Sequence, residues 1–337
     1  MNAATPDPLK KKVPLAFLPT PLTQLKKLSA ELGPYELYIK RDDMTGLGMG
    51  GNKTRKLEYL LYEAVKTSCD IVITSGAQQS NHCRQTAAAC AQLGMECHLL
   101  LGGVPPKVYE GNLLLSLLFG AQLHFTGENR KGEDIAELHD TLSKKGKCYL
   151  IPYGGSNAMG ALGFVNAMRE VKIQLQEMEL QIDHIFFASS SGGTQAGMLL
   201  GQALFDIQAS LHAISVDKAK LHGESLEERI LDILTTASKS LNLPNTFQIG
   251  NIVLDRNYEA PGYANLTQQE QKTIEMLAKT EGILLDAVYT ARAFHGMMDH
   301  IQKDRLAPGS KIVFWHTGGM PNLLTHAFAN RLNHQVL

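Results

Sequence analysis

The 337-residue sequence has no paired-cysteine motif, almost no net charge and no long hydrophobic run, and each absence removes a class of protein. Its five cysteines, Cys69, Cys83, Cys90, Cys97 and Cys148, are odd in number and form no CxxC pair, which predicts free thiols in a reducing cytosol. The twelve histidines are scattered, and Cys97-His98 alone lacks the spacing of a metal site, so no structural metal is expected. A formal net charge of −1 offers no basic field to draw in nucleic acid or an anionic membrane. The longest apolar stretch, Leu113 to Ala121, falls far short of the ~20 residues that span a bilayer. Lys10-Lys11-Lys12 before Val13-Pro14-Leu15 imitates a signal peptide, but Pro14, Pro19 and Pro21 break any apolar helix and no small-residue cleavage site follows. Repeats, low-complexity linkers and the GxxxxGK[ST] loop of nucleoside triphosphate enzymes are missing as well. By exclusion, the expectation is a cytoplasmic protein with a small-molecule partner.

What is present is an ordinary globular composition, 44% hydrophobic and 19% charged, long enough for one large or two medium domains. Strand and helix patterns alternate. Strands are expected at 37–40, 70–74, 97–101, 122–125, 148–151, 184–188, 211–216 and 311–315. Helices are expected at 25–32, 84–93, 113–119 with Asn112 as N-cap, 134–144, 158–178, 195–205, 226–240, 289–302 and 321–330. Thr267-Gln268-Gln269-Glu270 is a capping box that opens a further helix ending at Gly282. Such alternation predicts an α/β fold with mostly parallel sheets and helices on their faces.

The chain is organised around the stretch from Asp42 to Glu58. A strand-like run leads into it, and a helix with apolar positions at Leu57, Leu60, Leu61, Ala64 and Val65 leaves it. Between them stand Gly46, Gly48, Gly50 and Gly51, then Lys53. Glycines at such a junction let backbone approach a ligand, because they carry no Cβ. Gly46, Gly48 and Gly51 satisfy GxGxxG, the dinucleotide pattern, but the acidic residue that pattern wants at the end of the next strand is represented only by Asp70, which precedes its strand. The other reading makes Lys53 a Schiff-base lysine for pyridoxal phosphate, against the plain alternative of a solvated surface lysine.

The neighbouring motifs choose between these. Gly51-Asn52-Lys53-Thr54-Arg55-Lys56, Ser80-Asn81-His82-Cys83-Arg84-Gln85 and Ser191-Gly192-Gly193-Thr194-Gln195 resemble the family of 1-aminocyclopropane-1-carboxylate deaminase and D-cysteine desulfhydrase, pyridoxal-phosphate enzymes of the tryptophan synthase β-subunit fold. The resemblance runs from Leu18-Pro19-Thr20-Pro21 to His316-Thr317-Gly318-Gly319. It implies fold type II, two open twisted α/β/α domains: a large cofactor-binding domain of residues 1–54 and 165–337, and a small inserted α/β domain of residues 55–164. It also implies pyridoxal 5'-phosphate as cofactor, a small amino acid as substrate and a homodimer.

Residue roles follow from the same resemblance. Lys53 would carry the cofactor. Ser190, Ser191, Gly192, Gly193 and Thr194, at a turn opening a helix, would bind its phosphate with Lys56 as cationic partner; taken alone, that turn is either an anion cradle or a simple strand-to-helix connection. Asn81 would meet the cofactor's phenolic oxygen, and Ser80, Asn81 and His82 the substrate, although Ser or Asn there also serves as a helix N-cap. Tyr263 and Tyr289 match the family's two active-site tyrosines, with Ser80 and Lys53 as the other catalytic groups, and Thr317 matches the partner of the pyridine nitrogen. Deaminases of the family carry a glutamate after the second tyrosine and a leucine at the Thr317 place; here stand Thr290 and Thr317, as in the desulfhydrase branch. A neutral hydroxyl does not enforce a protonated ring nitrogen as a carboxylate does. The implied reaction is α,β-elimination from D-cysteine to pyruvate, ammonia and hydrogen sulfide. The alternatives are 1-aminocyclopropane-1-carboxylate deamination to 2-oxobutanoate and ammonia, elimination from another β-substituted amino acid such as L-cysteate, and a catalytically silent phosphate-ligand binder.

Overall fold

In a computed structural model, which describes residues 7–129, 131–217, 223–244 and 246–333, the chain builds two sheets. The elements, in chain order, are β1 (Leu22–Gln24), α1 (Lys26–Glu31), β2 (Glu36–Arg41), α2 (Lys53–Lys66), β3 (Ile71–Gly76), α3 (Asn81–Leu93), β4 (Glu96–Leu101), α4 (Gly111–Leu118), β5 (Gln122–Phe125), α5 (Ile135–Leu142) and β6 (Cys148–Leu150). There follow α6 (Ala158–Glu177), β7 (His184–Ser189), α7 (Gly193–Leu204), β8 (Ser210–Ser215), α8 (Leu226–Ser240), α9 (Gln268–Glu281), α10 (Thr290–Gln302), β9 (Lys311–His316), α11 (Met320–Leu323) and α12 (His326–Asn333).

One sheet has the order β1-β2-β9-β7-β8, parallel except for β1, and the other β5-β4-β3-β6, parallel throughout. Since β2 pairs with β9 from the far end of the chain, the β3–β6 sheet is inserted between neighbours of the first. Side chains alternate in both sheets, as the pleat requires. Leu37, Ile39, Phe186, Ile312 and Phe314 pack on one face with α1, α9 and α10, while Tyr38, Ile185, Phe187, Val313 and Trp315 meet α6 and α7 on the other. Strands covered on both faces read as continuous apolar runs, the pattern seen at 184–188. In the second sheet Val72, Leu99 and Leu101 face α2, α3 and α4, and Ile71, Ile73 and Leu100 face Leu142 of α5.

Helix α6 packs against both α2 and α7, and the contacts are made at glycines. A Cβ at Gly163 would lie 2.2 Å from the Arg55 carbonyl oxygen, and one at Gly197 would lie 2.3 Å from that of Ala161. Capping chemistry sets the helix ends: the boxes Ser225/Glu228 and Thr267/Glu270 open α8 and α9, and Gly94 and Gly282, both left-handed, close α3 and α9.

The structure departs from the sequence expectations in three places. Strand β1, unforeseen after the proline-rich entry, adds to the edge of β2 in antiparallel register, Leu22 opposite Lys40. Asn112 is no N-cap: α4 begins at Gly111 behind Glu110, and the Asn112 amide has tertiary partners instead. The helix expected at 321–330 is two helices, α11 and α12. The Asn322 carbonyl is taken by the backbone and hydroxyl of Thr325, and the His326 N–H donates to Glu110 Oε2 rather than continuing the helical ladder.

Candidate active site

The parallel strands β2, β9 and β7 are neighbours, and the chain leaves their carboxyl ends in three loops that converge, the usual place for a ligand crevice in an open α/β sheet. The loop after β2 delivers Lys53, the turn after β9 delivers Thr317, and the turn after β7 delivers Ser190–Thr194. From the second sheet, the end of β3 brings Ser80, Asn81 and His82, and the end of β6 brings Tyr153 and Ser156. Lys53, Ser80, Asn81 and His82 line one cleft. Ser190, Ser191, Gly192, Thr194, Tyr289 and Thr317 line the same cleft from the other side. Lys56 and Gly193 stand just behind its wall, where a Cβ on Gly193 would sit 2.9 Å from Lys56 Nζ. Tyr263 lines an adjoining cavity and reaches the cleft through its hydroxyl, 2.6 Å from that of Tyr289.

The glycine loop is built differently from its sequence reading. Its glycines face protein, with no room for a ligand: a Cβ on Gly46 would strike Phe17, one on Gly50 would lie 1.9 Å from the Asp43 carbonyl oxygen, and one on Gly51 would meet the Gln85 amide. The fully buried Arg84 guanidinium donates to the carbonyls of Gly48 and Gly50, pinning the loop to α3. These contacts, with Asp70 at the opposite end of its strand, leave nothing for a dinucleotide pyrophosphate to occupy.

Lys53 opens α2, half-buried, and burial pushes its pKa down to about 8. No hydrogen bond or ion pair holds its amine among the described residues. Lys56, fully buried, donates to the Gly154 carbonyl at 3.3 Å and Ser156 Oγ at 3.0 Å, with no carboxylate partner among the described residues. Burial, and then the Lys53 charge, drive its pKa well below the usual lysine value. Ser156 Oγ also accepts from the Gly193 N–H at 3.2 Å and meets Ser191 Oγ at 2.7 Å. Gly192, at φ 89°, turns the chain into α7, whose 12 residues direct their N-terminal donors into the cleft. Buried cations are ordinarily paired. Two lysine amines without carboxylates beside a helix N-terminus and hydroxyl groups fit a ligand carrying a phosphate and an electrophilic carbonyl, the two handles of pyridoxal phosphate.

Ser80 is the N-cap of α3, its Oγ accepting from the Cys83 N–H at 3.2 Å, so capping and a place in the cleft coexist. The Asn81 Oδ1 accepts from Asn112 Nδ2 at 2.8 Å, and Asn112 Oδ1 from Arg84 Nε at 2.6 Å. This chain orients the Asn81 amide with its nitrogen free to donate. His82 Nε2 donates to Thr74 Oγ1, whose own proton goes to the Ile151 carbonyl, so Nδ1 is the unprotonated nitrogen; it is buried and has no partner. Burial and the two lysines push the His82 pKa well down, keeping the ring neutral. Thr317 lines the cleft, but Thr290 does not: its hydroxyl donates to Asp286 Oδ1 at 2.8 Å in a fully buried position.

Several functional positions carried no local signal. Asn112 and Arg84 act through contacts across 28 and 31 residues of chain. Asp286 accepts the N–H groups of Val288, Tyr289 and Thr290, fixing the start of α10 and with it the second tyrosine. An aspartate four residues ahead of the first residue of α10 is the one local cue for it. Burial raises the pKa of Asp286 and, more strongly, that of Tyr289, so the Tyr289 hydroxyl stays protonated.

Residues 13–318 match the family described as pyridoxal-phosphate dependent enzyme. A D-cysteine desulfhydrase of Klebsiella pneumoniae is 38% identical over 94% of this chain and 96% of the relative. Among solved structures, one described as an ACC deaminase homologue aligns with TM-score 0.86 and 33% identity over 98% of this chain and 99% of that one. A fungal L-serine ammonia-lyase from Rhizomucor miehei aligns with TM-score 0.68 and 18% identity over 96% of this chain and 99% of that one, a likeness of fold.

Proposed function

This chain belongs to the pyridoxal-phosphate dependent enzymes, and from that premise we propose a lyase acting by α,β-elimination, with D-cysteine converted to pyruvate, ammonia and hydrogen sulfide. The observation that carries the site assignment is the pair of lysine amines, Lys53 and Lys56, held without carboxylates beside the Gly192–Gly193 turn. Lys53 would hold the cofactor through its carbonyl carbon, Ser190–Thr194 and Lys56 its phosphate, Asn81 its phenolic oxygen and Thr317 its ring nitrogen. Bound there, pyridoxal phosphate supplies an electron sink that lets the Cα–H bond of an amino acid break.

The chain's own groups do the rest. At a pKa of about 8 a useful fraction of the Lys53 amine is neutral near pH 7–8 and able to take a proton from Cα. Ser80, at the N-terminus of α3, faces a carboxylate with its hydroxyl and the positive end of the helix. Tyr263 and Tyr289 share one hydrogen bond, so either hydroxyl can donate toward a departing group while the other supports it. Thiolate leaves Cβ with its electron pair and takes up a proton as hydrogen sulfide.

Mixing the yellow, cofactor-loaded protein with D-cysteine, with L-cysteine as control, tests this directly. Sulfide from the D-isomer alone is expected. Sulfide from neither, with 2-oxobutanoate formed from 1-aminocyclopropane-1-carboxylate, would transfer the assignment to the deaminase, and a colourless protein would remove the cofactor. Replacing Thr317 with Glu should shift the cofactor's absorption, and an unchanged spectrum would put Thr317 elsewhere. A cytoplasmic homodimer completes the proposal; light scattering reads the assembly.

A further inference from the structure

Behind one wall of the cleft lies a cavity of about 840 Å³, within the usual size range of small-molecule sites. It is framed by α6, α8, the turn after β6 and the N-terminal residues Pro8 and Lys11. Tyr153 and Ser191 line both this cavity and the cleft, so the two spaces stand back to back. Lys53, Ser80 and Tyr289 line only the cleft, and the elimination chemistry leaves the larger space without a use.

Its distinguishing group is Arg229 of α8. That side chain lines the cavity and is only 9% exposed, yet its one hydrogen bond runs from Nε to the Ser225 carbonyl at 3.4 Å. It makes no ion pair among the described residues. Other buried arginines are tied down: Arg55 by Asp42, Glu170 and Thr20, Arg84 by Asn112 and two carbonyls, Arg292 by Glu270 and three carbonyls. Burial lowers the Arg229 pKa, and the opposing pull of Tyr153, Asp217, Glu224 and Glu227 does not offset it. A buried guanidinium with so little to hold is costly unless a ligand supplies a partner, and its planar fork fits a carboxylate. Asp232 stands one turn further along the same face of α8, exposed at the cavity, and it too has no ion pair among the described residues. Met159, Leu162 and Ile233 supply an apolar side. Glu63 and Glu224 also line the cavity and disfavour a polyanion such as a nucleotide.

We propose that this cavity is a second small-molecule site that takes a zwitterionic amino acid with an apolar side chain. Its carboxylate meets the Arg229 guanidinium, its ammonium meets Asp232, and its side chain packs on Met159, Leu162 and Ile233. Opposite charges one turn apart on a helix ordinarily interact with each other. Here both line the cavity unpaired, an arrangement that a zwitterion completes. The inference goes beyond the elimination reading and does not depend on it, because its three anchors lie outside the cleft.

The test is calorimetric titration of the holoenzyme with N,N-dimethylphenylalanine in both hands. Its tertiary amine keeps the ammonium charge but forms no Schiff base, so the cofactor cannot capture it. Removing the carboxylate, as in N,N-dimethylphenylalaninamide, should raise Kd by about 10-fold or more, the worth of a charge-assisted hydrogen bond. Removing the ammonium, as in 3-phenylpropanoate, should raise it by about 2- to 5-fold, since Asp232 is exposed. In Arg229→Gln the probe and its amide should bind with about equal Kd. In Asp232→Asn the probe should weaken toward 3-phenylpropanoate, whose own Kd stays put. Each comparison is made within one protein, so a general loss of structure cancels, and Asp232→Asn alters only an exposed side chain. No binding of either hand, equal Kd for probe and amide in the wild type, or ratios unmoved in both variants would overturn the site. Competitive inhibition of turnover by the probe, with Kd insensitive to both variants, would place it in the cleft and overturn the site as well. Failure of the elimination reading would leave these binding constants as they are.

Discussion

Arg55 and Lys56 are neighbours in the first turns of α2, both fully buried, and they end in opposite surroundings. Arg55 turns to a closed ionic cluster: it meets Asp42 at 2.8 Å and Glu170 at 2.9 Å, Glu170 also binds Lys40, and the Trp315 indole N–H donates to Asp42. Lys56 turns the other way, toward the cleft, and finds carbonyl and hydroxyl oxygens but no negative charge. Lys53, one turn away, has no hydrogen-bond or ionic partner among the described residues. Burial costs each cation its water. Where that cost is met inside the protein, the cation is architecture; where it is left unmet, the cation awaits an anion or an electrophile from outside. The same helix turn thus separates what holds the loop from what the loop offers.

Variants on each side should break the comparison in different directions. Lys53→Ala should lower turnover by at least about 10²–10⁴-fold, measured as pyruvate release, with the fold intact by circular dichroism; a rate near wild type would remove Lys53 from the chemistry. Arg55→Met strands the buried Asp42 carboxylate and leaves Glu170 to Lys40 alone, so urea denaturation should show a loss of about 3–5 kcal/mol. Lys56→Met removes an uncompensated cation. The cofactor-free protein should keep or slightly gain stability, while the cofactor Kd rises roughly 10- to 150-fold, the worth of a charge-assisted hydrogen bond of about 1.5–3 kcal/mol. If Lys56→Met instead destabilised the cofactor-free chain as Arg55→Met does, the distinction between the two cations would fail.

A finer contrast is in pH. Burial opposes ionisation of Glu170, but Arg55 and Lys40 overcome it and hold its pKa at about 2, against 4.5 for a free glutamate. Its stabilisation is present above pH 4.5 and is lost as pH falls toward about 2. Lys53 works in reverse: between about 8 and 10.5 the unfolded chain binds a proton that the native amine has released, so cofactor-free stability rises with pH across that window. Denaturation midpoints should show the acid loss diminished in Arg55→Met and the alkaline gain diminished in Lys53→Met.

What was legible in the sequence was whatever acts over a few residues. The capping box at Thr267 and Glu270, the left-handed Gly94 and Gly282, and the apolar strand at 184–188 announced their elements. The convergence of Lys53, Ser80 and the Gly192 turn was legible only through the family resemblance, because loops on different strands share no local pattern. Asn112 failed as a reading for the same reason. An asparagine near a helix start looks like a cap, and only the fold shows Arg84 and Asn81 engaging the two ends of its amide. The glycine loop misled in a related way, since freedom to approach a ligand and freedom to pack on one's own backbone look alike in sequence. Thr290, read beside Thr317, proved to serve Asp286 in the interior.

The glycine contacts of α6 act as a gauge. Helix α2 carries the two lysines, α7 begins at the Gly192 turn, and α6 meets both at glycines, its own Gly163 against the α2 backbone and Gly197 of α7 against Ala161 and Phe164 of α6. A single methyl group at Gly163 would have to push the Arg55 carbonyl from 2.2 Å out to an ordinary van der Waals contact, and α2 would move with it. The spacing of α2 from α7 therefore depends on two positions without a side chain, and one added carbon at either would change the distance between Lys53 and the Gly192 turn.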